Sequence, residues 1–229
     1  MSNAASNGMN GEIPWPSEKD QLFVKPKSTE HAESKRSPEF ESILESLKPE
    51  LESSYREGYY EAARTLSQHI CNDGRSDVVY PMLFCYRHFV ELSTKSLILV
   101  YAKLQDDEVR ITLPREHSLG KLWNEAKRLI KQAEPSDRKD DATLRNVERS
   151  ITELNQVDKN SQLFRYATDK QGDSVESRLP KPDLQQFVTT MENLHSFFAG
   201  CEMQAEVWQE YKDEMEAYYR PDYEYWNSP

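Results

Sequence analysis

Residues Val78–Leu104, VVYPMLFCYRHFVELSTKSLILVYAKL, form the most apolar segment of the chain, yet Arg87, His88, Glu91 and Lys95 stand in its middle. A helical period places Arg87, Glu91 and Lys95 at i, i+4 and i+8, one slowly drifting face, with His88 bordering it. Glu91 can pair with Arg87 behind it and with Lys95 ahead, the second being the more favourable order. Leu83, Phe84, Val90, Leu97, Ile98 and Tyr101 occupy the other faces. A helix apolar nearly all round belongs at the centre of a helical domain. Its polar stripe is either a solvated or interface edge, each pair worth a few tenths of a kcal/mol, or a polar cleft or dimer seam built by this helix.

The flanking sequence is also helical in period. Ser37 and Pro38 suit an N-cap and first helical position, and Phe40, Ile43, Leu44 and Leu47 follow as one stripe. Pro49 interrupts; Leu51, Tyr55, Ala62, Leu66 and Ile70 then continue to a stop at Asn72-Asp73-Gly74. Beyond the central run, Gln105 to Arg115 is a charged connector in which Val109–Leu113 suits a short extended piece. Ser118 is placed to cap a helix with Leu119, Leu122, Trp123, Ala126 and Ile130 inward. Pro135-Ser-Asp makes a turn, and Leu144, Val147, Ile151 and Leu154 form the next stripe. Asp183 caps a last helix carrying Leu184, Phe187, Val188, Met191, Leu194 and Phe198.

The expected fold is therefore all-α: an antiparallel helical bundle of five to six helices with one long ordered loop over about 159–182. Residues 1–37, rich in Ser, Asn, Glu, Lys and Pro, are expected to be a disordered N-terminal tail. The bundle spans 38–205, and 206–229 is expected to be an extended acidic-aromatic tail.

Composition limits the function. Forty acidic against 29 basic residues give a formal charge of −11 over 229 residues, so any RNA contact needs a local basic patch rather than a basic surface. No apolar run approaches the roughly 18 residues that span a bilayer, and the start lacks an apolar signal region. The expectation is a soluble cytoplasmic protein with no membrane contact. Cys71, Cys85 and Cys201 are isolated, and the five histidines show no pairing at metal spacing. With seven glycines and no glycine-rich phosphate loop, neither a metal nor a cofactor is expected.

The densest basic-aromatic patch is Phe164, Arg165 and Tyr166, with Lys159, Lys170, Arg178 and Lys181 nearby. Such a patch suits base stacking and phosphate contact, making Phe164, Arg165, Tyr166 and Lys170 RNA-binding candidates. The alternative is that Phe164 and Tyr166 pin the long loop while Arg165 pairs with Glu153 or Asp158. In that case the central stripe, Glu153, Asp158 and Arg165 form one buried polar network.

Taken together, Arg87-His88-Phe-Val-Glu91-Leu-Ser-Thr-Lys95, His117-Ser-Leu119, Leu122-Trp123, Glu153, Val157-Asp158, Ser161, Phe164-Arg165-Tyr166 and Asp169-Lys-Gln-Gly172 come in an order that resembles the HEPN superfamily (higher eukaryotes and prokaryotes nucleotide-binding), in a little-characterised branch. The resemblance covers about residues 50–200. It implies a helical bundle, often a homodimer, and in many members a metal-independent endoribonuclease of toxin–antitoxin or phage-defence systems. Other members are inactive and bind RNA or protein. The nuclease branch carries an Arg, four to six residues, then His; Arg110-Ile-Thr-Leu-Pro-Arg-Glu-His117 has six between. By that resemblance His117 moves a proton at the ribose 2′-hydroxyl or the leaving 5′-oxygen, and Arg110 stabilises charge on the phosphate. The alternative function is a non-catalytic helical domain for dimerisation or for binding a protein partner.

Overall fold

Five helices occupy the residues that the computed structural model describes, which are 51–105, 115–133, 142–159, 161, 163–166, 168, 174 and 183–226. They are α1 (Leu51–Asp73), α2 (Val79–Leu104), α3 (Leu119–Ala133), α4 (Ala142–Val157) and α5 (Leu184–Trp226), with a 3-10 turn at Ser76–Val78. The expected tail over 1–37, the helix after Pro38, the extended piece over 109–113 and the turn at Pro135 lie outside the described residues, as do Arg110 and Lys170. Among those described, the only β pairing is an isolated antiparallel bridge, Thr168 with Ser174, inside the long loop. The fold is an all-α bundle, and none of these helices is long and apolar enough to cross a membrane.

Helix α2 is its centre, packing against α1, α3 and α5, while α4 packs on α3. Gly74 closes α1: at φ 66° it adopts the left-handed conformation that glycine takes without strain, and its N–H donates to the Ile70 carbonyl at 3.1 Å. The chain then turns back, and Tyr60 on α1 meets Tyr86 and Phe89 on α2. The hairpin α3–α4 is antiparallel as expected, with Lys127 on Glu148 and the Gly120 N–H on Asn155. Two neighbours of α2 instead run parallel to it. Arg87 reaches the start of α3 and Gln105 its end, and Tyr86, Phe89 and Tyr101 meet Phe187, Phe198 and Trp208 of α5 in that order. A parallel neighbour requires the chain to return the length of the bundle. The break over 105–118 falls at the α2–α3 connection; the longer one over 158–183 joins α4 to the antiparallel α5, whose facing ends meet α2 at one level, Asp158 at Arg87 and Phe187 at Tyr86.

Trp123, Tyr86, Tyr101, Phe89 and Phe198 are fully buried where the helices meet. Each contributes about 1.5–3 kcal/mol through burial. On α1 the inward face is Tyr60, Ala63 and Ser67, while Tyr55 and Ala62 are exposed. Ala63 supplies the small surface that lets α1 lie close to α2, and Tyr55 meets Tyr59 edge-on at the rim instead of entering the core.

Asp183 caps α5 as expected: its Oδ1 accepts the Gln186 N–H at 3.0 Å and its carbonyl accepts the Phe187 N–H at 2.9 Å. Asp183→Ala is expected to remove about 1 kcal/mol. A thermal melt followed by circular dichroism should fall by about 2–4 °C. The expected extended tail from 206 is instead helix through Trp226. Ala205, Trp208 and Met215 continue the inward spacing of Phe198 and Cys201, and Lys212 Nζ donates to the Leu104 carbonyl at the end of α2 at 3.2 Å.

Candidate functional site

Arg87 sits at the convergence of three segments. Its guanidinium is fully buried, and each nitrogen is spent on a different one. Nη1 donates to Glu91 Oε2 at 2.8 Å on its own helix. Nη2 donates to the His117 carbonyl at 2.8 Å, just before α3. Nε donates to the Asp158 carbonyl at 3.2 Å, just after α4, and lies 3.4 Å from the Asp158 carboxylate. The planar five-donor fork makes such three-way bracing possible; an ammonium has no equivalent geometry.

Glu91 is the second hub. Its side chain is 2 % exposed and accepts from Arg87, from Lys95 Nζ at 2.9 Å, and meets His117 Nδ1 at 2.8 Å. Burial alone would push the Glu91 carboxyl upward, but hydrogen bonds from Lys95, Arg87 and His117 outweigh it and hold it below the usual carboxylate range. Glu91 is thus a carboxylate at neutral pH. A carboxylate only accepts, so a neutral His117 ring carries its proton on Nδ1 and keeps an Nε2 lone pair. The His117 side chain is 65 % exposed, so the buried carboxylate orients an imidazole that faces solvent.

The backbone entering α3 is held separately. Glu116 Oε1 accepts the His117 and Ser118 N–H groups, each at 2.9 Å, and Lys121 Nζ donates to Oε2 at 2.9 Å. The Lys121 bond and the two backbone donors lower the Glu116 carboxyl to about 2. Ser118 is the N-cap by position, since its carbonyl accepts the Leu122 N–H at 3.0 Å. Its hydroxyl turns to Asn155 of α4, whose Oδ1 also accepts the Gly120 N–H at 3.3 Å. A side chain on a neighbouring helix therefore does the capping expected of Ser118.

The remaining candidates separate. His88 leaves the network for an aromatic cluster, edge-on to Tyr59 at 4.4 Å and stacked with Phe84 at 5.8 Å between centroids. Burial lowers its pKa, Glu91 opposes that, and Lys95, Arg87 and Arg165 lower it further, so it is neutral at pH 7. Asp158 joins Arg87 and also accepts the Leu163 N–H at 3.1 Å, which turns the chain out of α4. Phe164 is buried and pins the loop, whereas Tyr166 is exposed. Arg165 lies 5.4 Å above the Phe84 ring and donates to the Ser161 hydroxyl at 3.1 Å, so its partners are neither Glu153 nor Asp158. Glu153 is exposed on α4 and stays out of the network.

Two participants carry no motif in the sequence. Asn155 is legible only once α3 and α4 are known to be antiparallel. His195 stacks on Tyr60 at 4.0 Å and meets Glu57 at 2.8 Å, near the Arg56–Glu202 ion pair, and locks α5 to α1. Comparison of the chain with protein-family models, with curated proteins and with solved structures returns no match.

Proposed function

We propose that this chain is a HEPN-like, metal-independent endoribonuclease in which His117 is the acid–base group and Glu91 its orienting carboxylate. The observation that carries this reading is the 2.8 Å contact between a buried carboxylate and a largely exposed imidazole. Bracing of that kind fixes the tautomer and favours the imidazolium formed when the ring accepts a proton.

In the proposed reaction Nε2 of His117 takes the proton of a ribose 2′-hydroxyl. The 2′-oxygen attacks the adjacent phosphorus, and the bond to the 5′-oxygen breaks. The products are a 2′,3′-cyclic phosphate and a 5′-hydroxyl end, the leaving oxygen taking a proton from solvent water and the imidazolium returning its proton to solvent. Arg110 is proposed to stabilise the phosphate charge, and a second copy in a homodimer to bring a second Arg110–His117 pair. Arg87 and Lys95 do not touch substrate; they keep Glu91 anionic and in place. Tyr166 and Arg165, both exposed, are proposed to contact the RNA. The setting implied is a toxin or phage-defence system in the cytoplasm.

The test is cleavage of a labelled RNA by the purified full chain in EDTA, with the new termini analysed chemically. Cyclic-phosphate ends that appear with the wild type and vanish with His117→Ala support the reading. Identical products, or none, from both proteins remove it.

A further inference from the structure

Helix α5 is longer than the bundle it braces. At 1.5 Å per residue its 43 residues extend about 64 Å, against about 39 Å for the 26 residues of α2. Lys212 is bonded to the last carbonyl of α2, so the turns after it project past that end. Along the outward side, Met203, Val207, Tyr211 and Tyr218 are all exposed, Tyr211 at 63 % and Tyr218 at 73 %. They fall at i, i+4, i+8 and i+15, a single stripe on the face opposite Ala205, Trp208 and Lys212. A contiguous apolar stripe of this kind on a charged protein marks a contact surface. Glu206 and Glu210 border the stripe along one side, Glu214 lies on it between Tyr211 and Tyr218, and Lys212 is on the inward side.

We infer that this face of α5 docks a basic amphipathic helix from a partner protein, apolar side against Met203, Val207 and Tyr211, and lysines or arginines against the flanking carboxylates. Charge complementarity decides the occupant. A second copy of the same stripe would set the row Glu206, Glu210 and Glu214 against itself, and like charges juxtaposed across an interface disfavour it. A cationic helix meets the same carboxylates with opposite sign. The helix-in-groove mode uses anchors at this spacing, and the turns past Lys212 gain the packing that a short solvated helix lacks. The inference is independent of RNA chemistry, since the stripe lies on α5 and the Glu91–His117 pair on α2 and the entry to α3.

The test uses three synthetic 18-residue peptides with the full-length protein in 0.15 M salt: a Leu/Lys amphipathic helix, a scramble of the same composition, and a Leu/Glu helix. Calorimetric titration should show the Leu/Lys helix binding at least about tenfold tighter than the scramble, with no binding of the Leu/Glu helix. The triple variant Met203→Gln, Val207→Gln and Tyr211→Gln, chosen to keep helix propensity on an exposed face, should lose that preference at unchanged circular dichroism. Glu206→Gln with Glu210→Gln should flatten the salt dependence. Equal binding of helix and scramble overturns the inference, as does a triple variant that binds as the wild type. A wild-type dimer in sedimentation equilibrium that the triple variant dissociates overturns it in favour of a second copy.

Discussion

Arg87→Met should lower folding stability by about 3–5 kcal/mol, the cost of removing one partner from a buried ion-pair network. The reason is what it leaves behind. Glu91 keeps only Lys95 and His117, Asp158 loses the guanidinium beside it, and the His117 carbonyl loses its buried donor. For a domain of this size the melting temperature should drop by roughly 6–20 °C. Arg87→Lys is expected to recover little, because one ammonium cannot reach three segments in one plane. A drop of under 2 °C for Arg87→Met would show that water already fills the network. The same network sets an acid limit. The folded Glu91 pKa lies below its unfolded value of about 4.3, so its contribution is complete above that pH. It is lost as pH falls through the folded value. A wild-type melting curve should therefore fall more steeply between pH 5 and pH 3 (rough limits from the same unfolded value) than that of Glu91→Gln.

The second large effect is catalytic. His117→Ala should reduce RNA cleavage by about 10²–10⁴-fold, the range for losing a positioned general base. Stability should change by less than about 0.5 kcal/mol, because the side chain is largely in solvent. Its main-chain carbonyl, which Arg87 holds, is untouched by the substitution. Glu91→Gln makes no such split. It keeps the imidazole but removes the buried anion that orients it and that Arg87 and Lys95 share, so the cleavage rate and the folding stability should fall together. Full cleavage activity in a folded Glu91→Gln variant would reduce Glu91 to a packing group.

Much of the architecture was legible because periodicity is local. The stripe Leu119, Leu122, Trp123, Ala126 and Ile130 is buried as its spacing demands, and Asp183 caps where an Asp before an apolar period should. Arg87, Glu91 and Lys95 share a face because i+4 geometry leaves no alternative. What spacing alone does not encode is which segments meet across the bundle. His88 borders the stripe in sequence, yet one residue of helical rotation carries it to Tyr59 and Phe84. Glu153 and Asp158 were equal candidates for Arg165, yet Asp158 ends α4 at the level of Arg87 and joins that guanidinium, whereas Glu153 faces outward. Tyr60 and Ala63 replace Tyr55 and Ala62 for a similar reason, since a short run of mixed apolar residues defines two faces equally well until a neighbour selects one.

Arg87 and Asp158 are 71 positions apart. A ribosome adding about 5–20 residues per second delivers Asp158 roughly 4–14 s after Arg87. During that interval the emerging hairpin leaves Arg87 with Glu91 alone, its bonds to the His117 and Asp158 carbonyls still unmade. A nascent chain stalled before α4 should therefore be readily cut by protease, and become resistant only once that helix has left the exit tunnel.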